Sequence, residues 1–203
     1  KYLPVNAAML AHFREAGLDS LFCYSARVGH SRVFLGRHLF LGGATSLVPL
    51  ANVEPPIRCG DLSGITAMHL PRWVERYLYE PGAEIAGLTD WSAKIRAIAD
   101  RTIGRNLTLV AGIPSWLLVL AEAVRQRAAE LQERLPASLH DVWPNLECLI
   151  HGGVPIAPFT EQLRQAYGRG IHFHEVYPAS EGFIAVQDAE PADGLRLLTN
   201  RGL

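Results

Sequence analysis

Two short stretches of the chain put permissive backbone beside reactive side chains: His151-Gly152-Gly153-Val154 and Tyr177-Pro178-Ala179-Ser180-Glu181. Glycine leaves the backbone bare, so a flat ligand can come close to it. Tyr177 offers a ring for stacking, and Glu181 offers a hard oxygen for a cation such as Mg²⁺. Each stretch follows an apolar run, Leu146–Ile150 in the first case and Ile171–Tyr177 in the second. Two parallel strands ending side by side in such loops form a crevice at the carboxyl end of a sheet, where open α/β folds bind ligands. The residue types therefore point to a nucleotide site.

Other constellations carry less. Gly42-Gly43-Ala44-Thr45-Ser46 could cradle phosphate through backbone N–H groups, or it could simply turn the chain after a strand. His172 and His174 share one face of a strand by its two-residue period, but no third ligand stands at a recognisable spacing, so packing is the better reading than a metal site. The sequence has no Gly-x-Ser-x-Gly elbow, no Walker loop and no dinucleotide fingerprint. Trp116 opens a helix after a strand, as a core residue or as the wall of an acyl pocket.

The elements that must position these residues follow from the apolar spacing. Asn6 caps a helix to about Ala16, and Leu18–Val28 is a second helix or a buried strand. Val33-Phe34-Leu35 and Leu39-Phe40-Leu41 lead as strand-like runs into the turn at Gly42. Asp61 begins a helix that Pro71 interrupts, Pro81-Gly82 is a turn, and Asp90 caps a helix carrying Trp91, Ile95 and Ile98. Asn106 to Gly112 is a short buried strand. Pro114 to Leu135 is a helix with Leu117, Leu120, Val124, Ala128, Leu131 and Leu135 at spacings of three and four. Strand Leu146–Ile150, helix Phe159–Tyr167 and strand Ile171–Tyr177 make a right-handed parallel crossover. Gly182–Gln187 and Leu195–Leu198 are two further strands. The expected fold class is α/β, a mostly parallel sheet flanked by helices.

Composition narrows the function classes. Of 203 residues, 49% are hydrophobic, enough for a sizeable core, and 19 basic against 20 acidic side chains leave a net charge of −1. Such a balance argues against a dedicated nucleic-acid or membrane-surface binder. The 3 cysteines are scattered, with no CxxC pair, which suits a reduced, cytoplasmic setting rather than a disulfide framework. Both ends read like the interior of a longer chain.

Taken together, Gly152-Gly153-Val154-Pro155 and Tyr177-Pro178-Ala179-Ser180-Glu181, with 24 positions from Gly153 to Tyr177, resemble the paired motifs of the adenylate-forming superfamily. Leu41-Gly-Gly-Ala-Thr-Ser46, Gly60-Asp-Leu-Ser-Gly64, Gly112-Ile-Pro-Ser-Trp-Leu-Leu118 and Asp141-Val-Trp-Pro-Asn-Leu146 narrow the likeness. They resemble the Gretchen-Hagen auxin-responsive family of acyl-acid amido synthetases in its bacterial form, over nearly the whole chain.

The resemblance implies part of the large N-terminal domain of an acyl-CoA synthetase/luciferase-like enzyme. Its roles carry over by position. Tyr177 and Ala179 would meet the adenine of ATP or AMP, with the backbone of His151, Gly152, Gly153 and Val154 lining the adenine and acyl pockets. Ser180 would sit near the α-phosphate and Glu181 would hold Mg²⁺. Lys1 would follow the family's phosphate loop, which is expected before residue 1, and a C-terminal domain with a catalytic Lys is expected after residue 203. Pro178 departs from the superfamily's usual Gly and removes an N–H there.

The implied reaction is ATP-dependent adenylation of a small carboxylic acid, then amide formation with an amino acid or other amine. Ile113, Trp116, Leu117 and Leu120 are the candidates for an apolar acid pocket. Two alternatives stay open: transfer to coenzyme A thiol, and a non-catalytic domain that binds an acyl acid or a nucleotide.

Overall fold

The computed structural model describes residues 2–190 and 194–199, and Lys1 lies outside them. Helix α1 (Ala7–Val28) begins where the Asn6 side chain accepts the Met9 N–H and ends at Gly29, left-handed at φ 76°. The ambiguous run Leu18–Val28 is thus a continuation of the first helix. Val33-Phe34-Leu35 is a 3-10 turn (Arg32–Leu35) rather than strand, and strand β1 (Arg37–Phe40) starts only after Gly36.

A small antiparallel pair, β2 (Val48–Pro49) with β3 (Arg58–Cys59), precedes α2 (Leu62–Met68) and α3 (Arg72–Tyr77), which Pro71 separates. Next come β4 (Tyr79–Glu80), α4 (Ala83–Ala86) and α5 (Trp91–Thr102), whose N-terminus is closed by Asp90 accepting the Ala93 N–H at 2.7 Å. Strand β5 (Leu107–Ala111) is buried at every position. Helix α6 (Pro114–Gln132) starts on Pro, whose missing N–H does no harm there. It stops three residues short of the sequence expectation because Glu133 turns left-handed at φ 54°. Leu117, Leu120, Val124 and Ala128 have no exposed surface, whereas Leu131 and Leu135 are more than half exposed and do not join the core.

Strand β6 (Cys148–His151), helix α7 (Thr160–Tyr167) and strand β7 (His172–Ala179) form the parallel crossover, in the register His151 to Glu175. Strands β8 (Gly182–Val186) and β9 (Arg196–Leu197) complete the sheet. Its order is β4-β1-β5-β6-β7-β8-β9, parallel from β4 to β7 and antiparallel from β7 to β9. Helices α5, α6 and α7 cover one face over a core that includes Leu39, Ile98, Val110, Trp143 and Leu149. On the other face, residues of α1 pack against β5 to β8. The α/β class with a mostly parallel, helix-flanked sheet is what the structure shows.

Polar contacts tie α1 to the sheet. Ser20 Oγ and His174 Nε2 are 3.0 Å apart in the interior, and Arg27 donates to the Phe173 carbonyl at 2.8 Å. His172 and His174 both meet the Tyr24 ring edge-on, so the histidine pair serves packing. Among the described residues, no three His, Cys, Asp or Glu side chains converge on a common point. Nor is any described helix long and apolar enough to cross a membrane.

Candidate active site

The carboxyl ends of β1, β5, β6 and β7 lie side by side, and glycine follows three of the four: Gly42-Gly43, Gly112 and Gly152-Gly153. The Gly112 N–H donates to the Ile150 carbonyl at 3.0 Å, and the Leu41 N–H to Ala111 at 2.8 Å, which holds these exits in one line. A Cβ on Gly152 would stand 2.3 Å from the Val176 carbonyl oxygen, so only glycine lets β6 leave the sheet this close to β7. Gly153 turns left-handed at φ 81° into open space, and Val154 beyond it is 40% exposed. The His151 side chain points into the interior instead, edge-on to Phe173, with its pKa pushed down to about 4 by burial. It is neutral at pH 7, and only its backbone belongs to the crevice.

The second stretch is more regular than the sequence suggests. Pro178 and Ala179 extend β7, because Gly182–Val186 supplies an antiparallel partner; Ala179 pairs with Gly182. Ser180 and Glu181 are therefore the two residues of a hairpin turn, both exposed, rather than part of an open loop. The register slips between Tyr177 and Pro178, where a residue without an N–H is least costly to a ladder. Tyr177 projects half-exposed at this irregularity. The hairpin rests on α1. The Phe183 N–H donates to His12 Nε2 at 2.8 Å, and the Phe13 and Phe183 rings meet edge-on. Sequence reasoning missed His12 because the pairing spans 171 positions and no local pattern marks it.

A third wall surrounds Gly42–Thr45. Lys94, 3% exposed, reaches from α5 and donates all three ammonium protons, to the carbonyls of Gly42, Gly43 and Ala86 at 3.0 to 3.1 Å. Burial lowers its pKa, and the nearby Asp61 carboxylate works in the opposite direction. The Gly43 N–H donates to Ser63 Oγ and the Thr45 N–H to the Ala86 carbonyl. Those two N–H groups are spent inside the protein and are not offered to a phosphate. Gly64 is equally constrained, since a Cβ there would stand 2.2 Å from the Ala44 carbonyl.

Of the acid-pocket candidates, Ile113 and Trp116 keep partial exposure beside the β5 exit, and Trp116 packs on Trp91 with ring centroids 4.7 Å apart. Leu117 and Leu120 are enclosed in the core and cannot touch a ligand in this arrangement. Their helical spacing was a packing signal. Gly152 thus lies against Val176 and Pro178, with the Ser180-Glu181 turn at the far end of β7 and Ile113 and Trp116 just past the β5 exit.

Comparison with known proteins bears on this arrangement. No curated protein matches the chain. Among solved structures, one described as GH3.15 acyl acid amido synthetase superposes with a TM-score of 0.64 at 14% sequence identity, covering 93% of this chain and 41% of that one. That identity supports likeness of fold alone, and the chain spans about two-fifths of the solved relative's length. Residues 6–172 match the model of the family described as GH3 family N-terminal domain. A match over most of the chain decides its kinship, and this protein belongs to the GH3 family.

Proposed function

We propose that this chain supplies the adenine- and acid-binding part of an acyl-adenylating ligase. In this reading a small carboxylic acid attacks the α-phosphate of ATP to give an acyl-adenylate and pyrophosphate, and an amino acid or other amine then takes the acyl group as an amide. The supporting observation is the juxtaposition of two exits at one sheet edge: Gly152-Gly153, which only glycine can form, and the hairpin that raises Tyr177, Ser180 and Glu181. Residues 1–203 are then a partial adenylation domain. We assign the phosphate grip and the closing domain to the remainder of an architecture like that of the longer solved relative.

The resemblance to the adenylate-forming enzymes suggests each residue's task. The half-exposed Tyr177 ring stacks on adenine, and the bared backbone at Gly152 and Gly153 lets the base and the acid lie close against the sheet. Ser180 donates its hydroxyl toward the α-phosphate. Glu181 suits Mg²⁺, a cation bound by one or two carboxylates together with substrate phosphates. Mg²⁺ would neutralise charge on the phosphates during transfer. Ile113 and Trp116 give the acid an apolar or aromatic contact. Since both reactants are anions, positioning and charge neutralisation supply most of the rate.

The test is acid-dependent exchange of pyrophosphate into ATP by the full-length protein. Glu181→Ala is expected to lower it by at least ~10²-fold, the scale of losing one charge-stabilising group. Near-normal exchange in that variant would sink the reading. Supplying amino acid or coenzyme A as the acceptor separates amide from thioester formation.

A further inference from the structure

We infer that His12 is a positioning residue for Glu181, holding the turn that carries the proposed metal carboxylate. This rests on the reading above for its catalytic meaning but on geometry alone for the contact. Ser180-Glu181 is a two-residue turn, closed by the Ala179–Gly182 pair, and its direction follows the strands on either side of it. A hydrogen bond joins a helix side chain to the hairpin backbone here, from the Phe183 N–H, one residue past Gly182, to His12 Nε2 at 2.8 Å. Phe183 is the second residue of the return strand and stands opposite Pro178, which has no N–H to give.

The chemistry of the contact is specific. To accept an N–H, His12 Nε2 must offer its lone pair, so the ring is neutral and its proton sits on Nδ1. That Nδ1 is buried, with no partner in this structure. Leaving such an atom unpaired costs stability, and the ring nevertheless keeps this place. Packing of Phe13 on Phe183 and of Ala16 with Val176 and Val186 keeps this part of α1 against the hairpin. His12 therefore adds a directional bond at the turn end of the hairpin, beyond the Ser20–His174 and Arg27–Phe173 contacts further along α1.

The experiment compares His12→Leu and His12→Gln with wild type in the full-length protein. Gln keeps a side-chain acceptor of similar reach, and Leu removes it. Two readouts are used: amide hydrogen exchange at Phe183, and the Mg²⁺ concentration that half-activates acid-dependent ATP–pyrophosphate exchange. His12→Leu is expected to speed exchange at Phe183 and to raise the Mg²⁺ requirement about tenfold, the scale of one hydrogen bond. The KM for the acid should stay unchanged, and His12→Gln should recover most of both effects. Unchanged Phe183 protection in His12→Leu overturns the contact. Faster exchange at Phe183 with an unaltered Mg²⁺ requirement, or equal losses for Mg²⁺ and acid, overturns the positioning role. If wild type shows no acid-dependent exchange, the enzymatic reading fails instead, and Phe183 protection still decides whether His12 holds the hairpin.

Discussion

At the scale of single residues, the crevice depends on atoms that are missing. Gly152 has no side chain because the Val176 carbonyl occupies its place, 2.3 Å from where a Cβ would be. Gly152→Ala must push β6 and β7 apart at their exits. We expect a loss of about 1–3 kcal/mol, the range for inserting a methyl group into a packed site, together with weaker nucleotide binding. Thermal melts and calorimetric titration of ATP measure the two effects, and an unperturbed melt would show that β7 yields more easily than its hydrogen-bonded register implies. Gly153 is a different case: it has open space around it, and its constraint is the left-handed φ of 81° alone. Both glycines were visible in the sequence as a pair. Which one was held by contact and which by backbone angle was not.

At the scale of elements, α5 and α1 each extend one polar side chain to a loop at the sheet edge. Lys94 satisfies the carbonyls of Gly42, Gly43 and Ala86. Lys94→Met keeps the volume and removes the donors, so these carbonyls lose a common partner. A loss of about 1–3 kcal/mol is expected, the cost of leaving buried polar groups unsatisfied. Hydrogen exchange should rise in residues 42–45 and not in α6; a uniform rise over the whole sheet would contradict a local role. The sequence made α5, α6, the first half of α1, the β6–α7–β7 crossover and both caps, Asn6 and Asp90, legible, because periodicity and capping act within a few residues. It did not reveal β4, whose two residues include the fully buried Glu80, paired with Arg37 and Arg101 from β1 and α5. A charge at a core position breaks the apolar pattern, and its partners lie 43 and 21 residues away. Lys94 and His12 escaped notice for the same reason. Leu117 and Leu120, offered as acid-pocket candidates, have no exposed surface and pack in the core, since their helical spacing serves the helix face.

Across the whole molecule, buried histidines couple the fold to pH. Burial pushes His151 and His174 down to about 4 from the ordinary 6.5, with Arg27 adding to the effect on His174, and lowers His38 in the same direction. Above pH 6.5 these rings are neutral in the folded and the unfolded chain alike, so pH hardly matters there. As pH falls from 6.5 toward 4 the unfolded chain takes up protons that the folded one refuses. Stability then drops by up to about 1.4 kcal/mol per ring for each pH unit, and the loss levels off below the folded-state value. Urea midpoints at pH 7 and pH 5 are expected to differ accordingly, and identical midpoints would mean that the rings become solvated without unfolding.

The slipped register between Tyr177 and Pro178 has a consequence for how this protein can vary over time. Side chains along a strand alternate between faces, so the offset fixes which side the turn at Ser180-Glu181 presents. Loss or gain of one residue between Tyr177 and Phe183 reverses that presentation without disturbing the apolar composition at all. The length of the segment is therefore held. The β2–β3 excursion, paired to no strand of the main sheet, is under no such restraint.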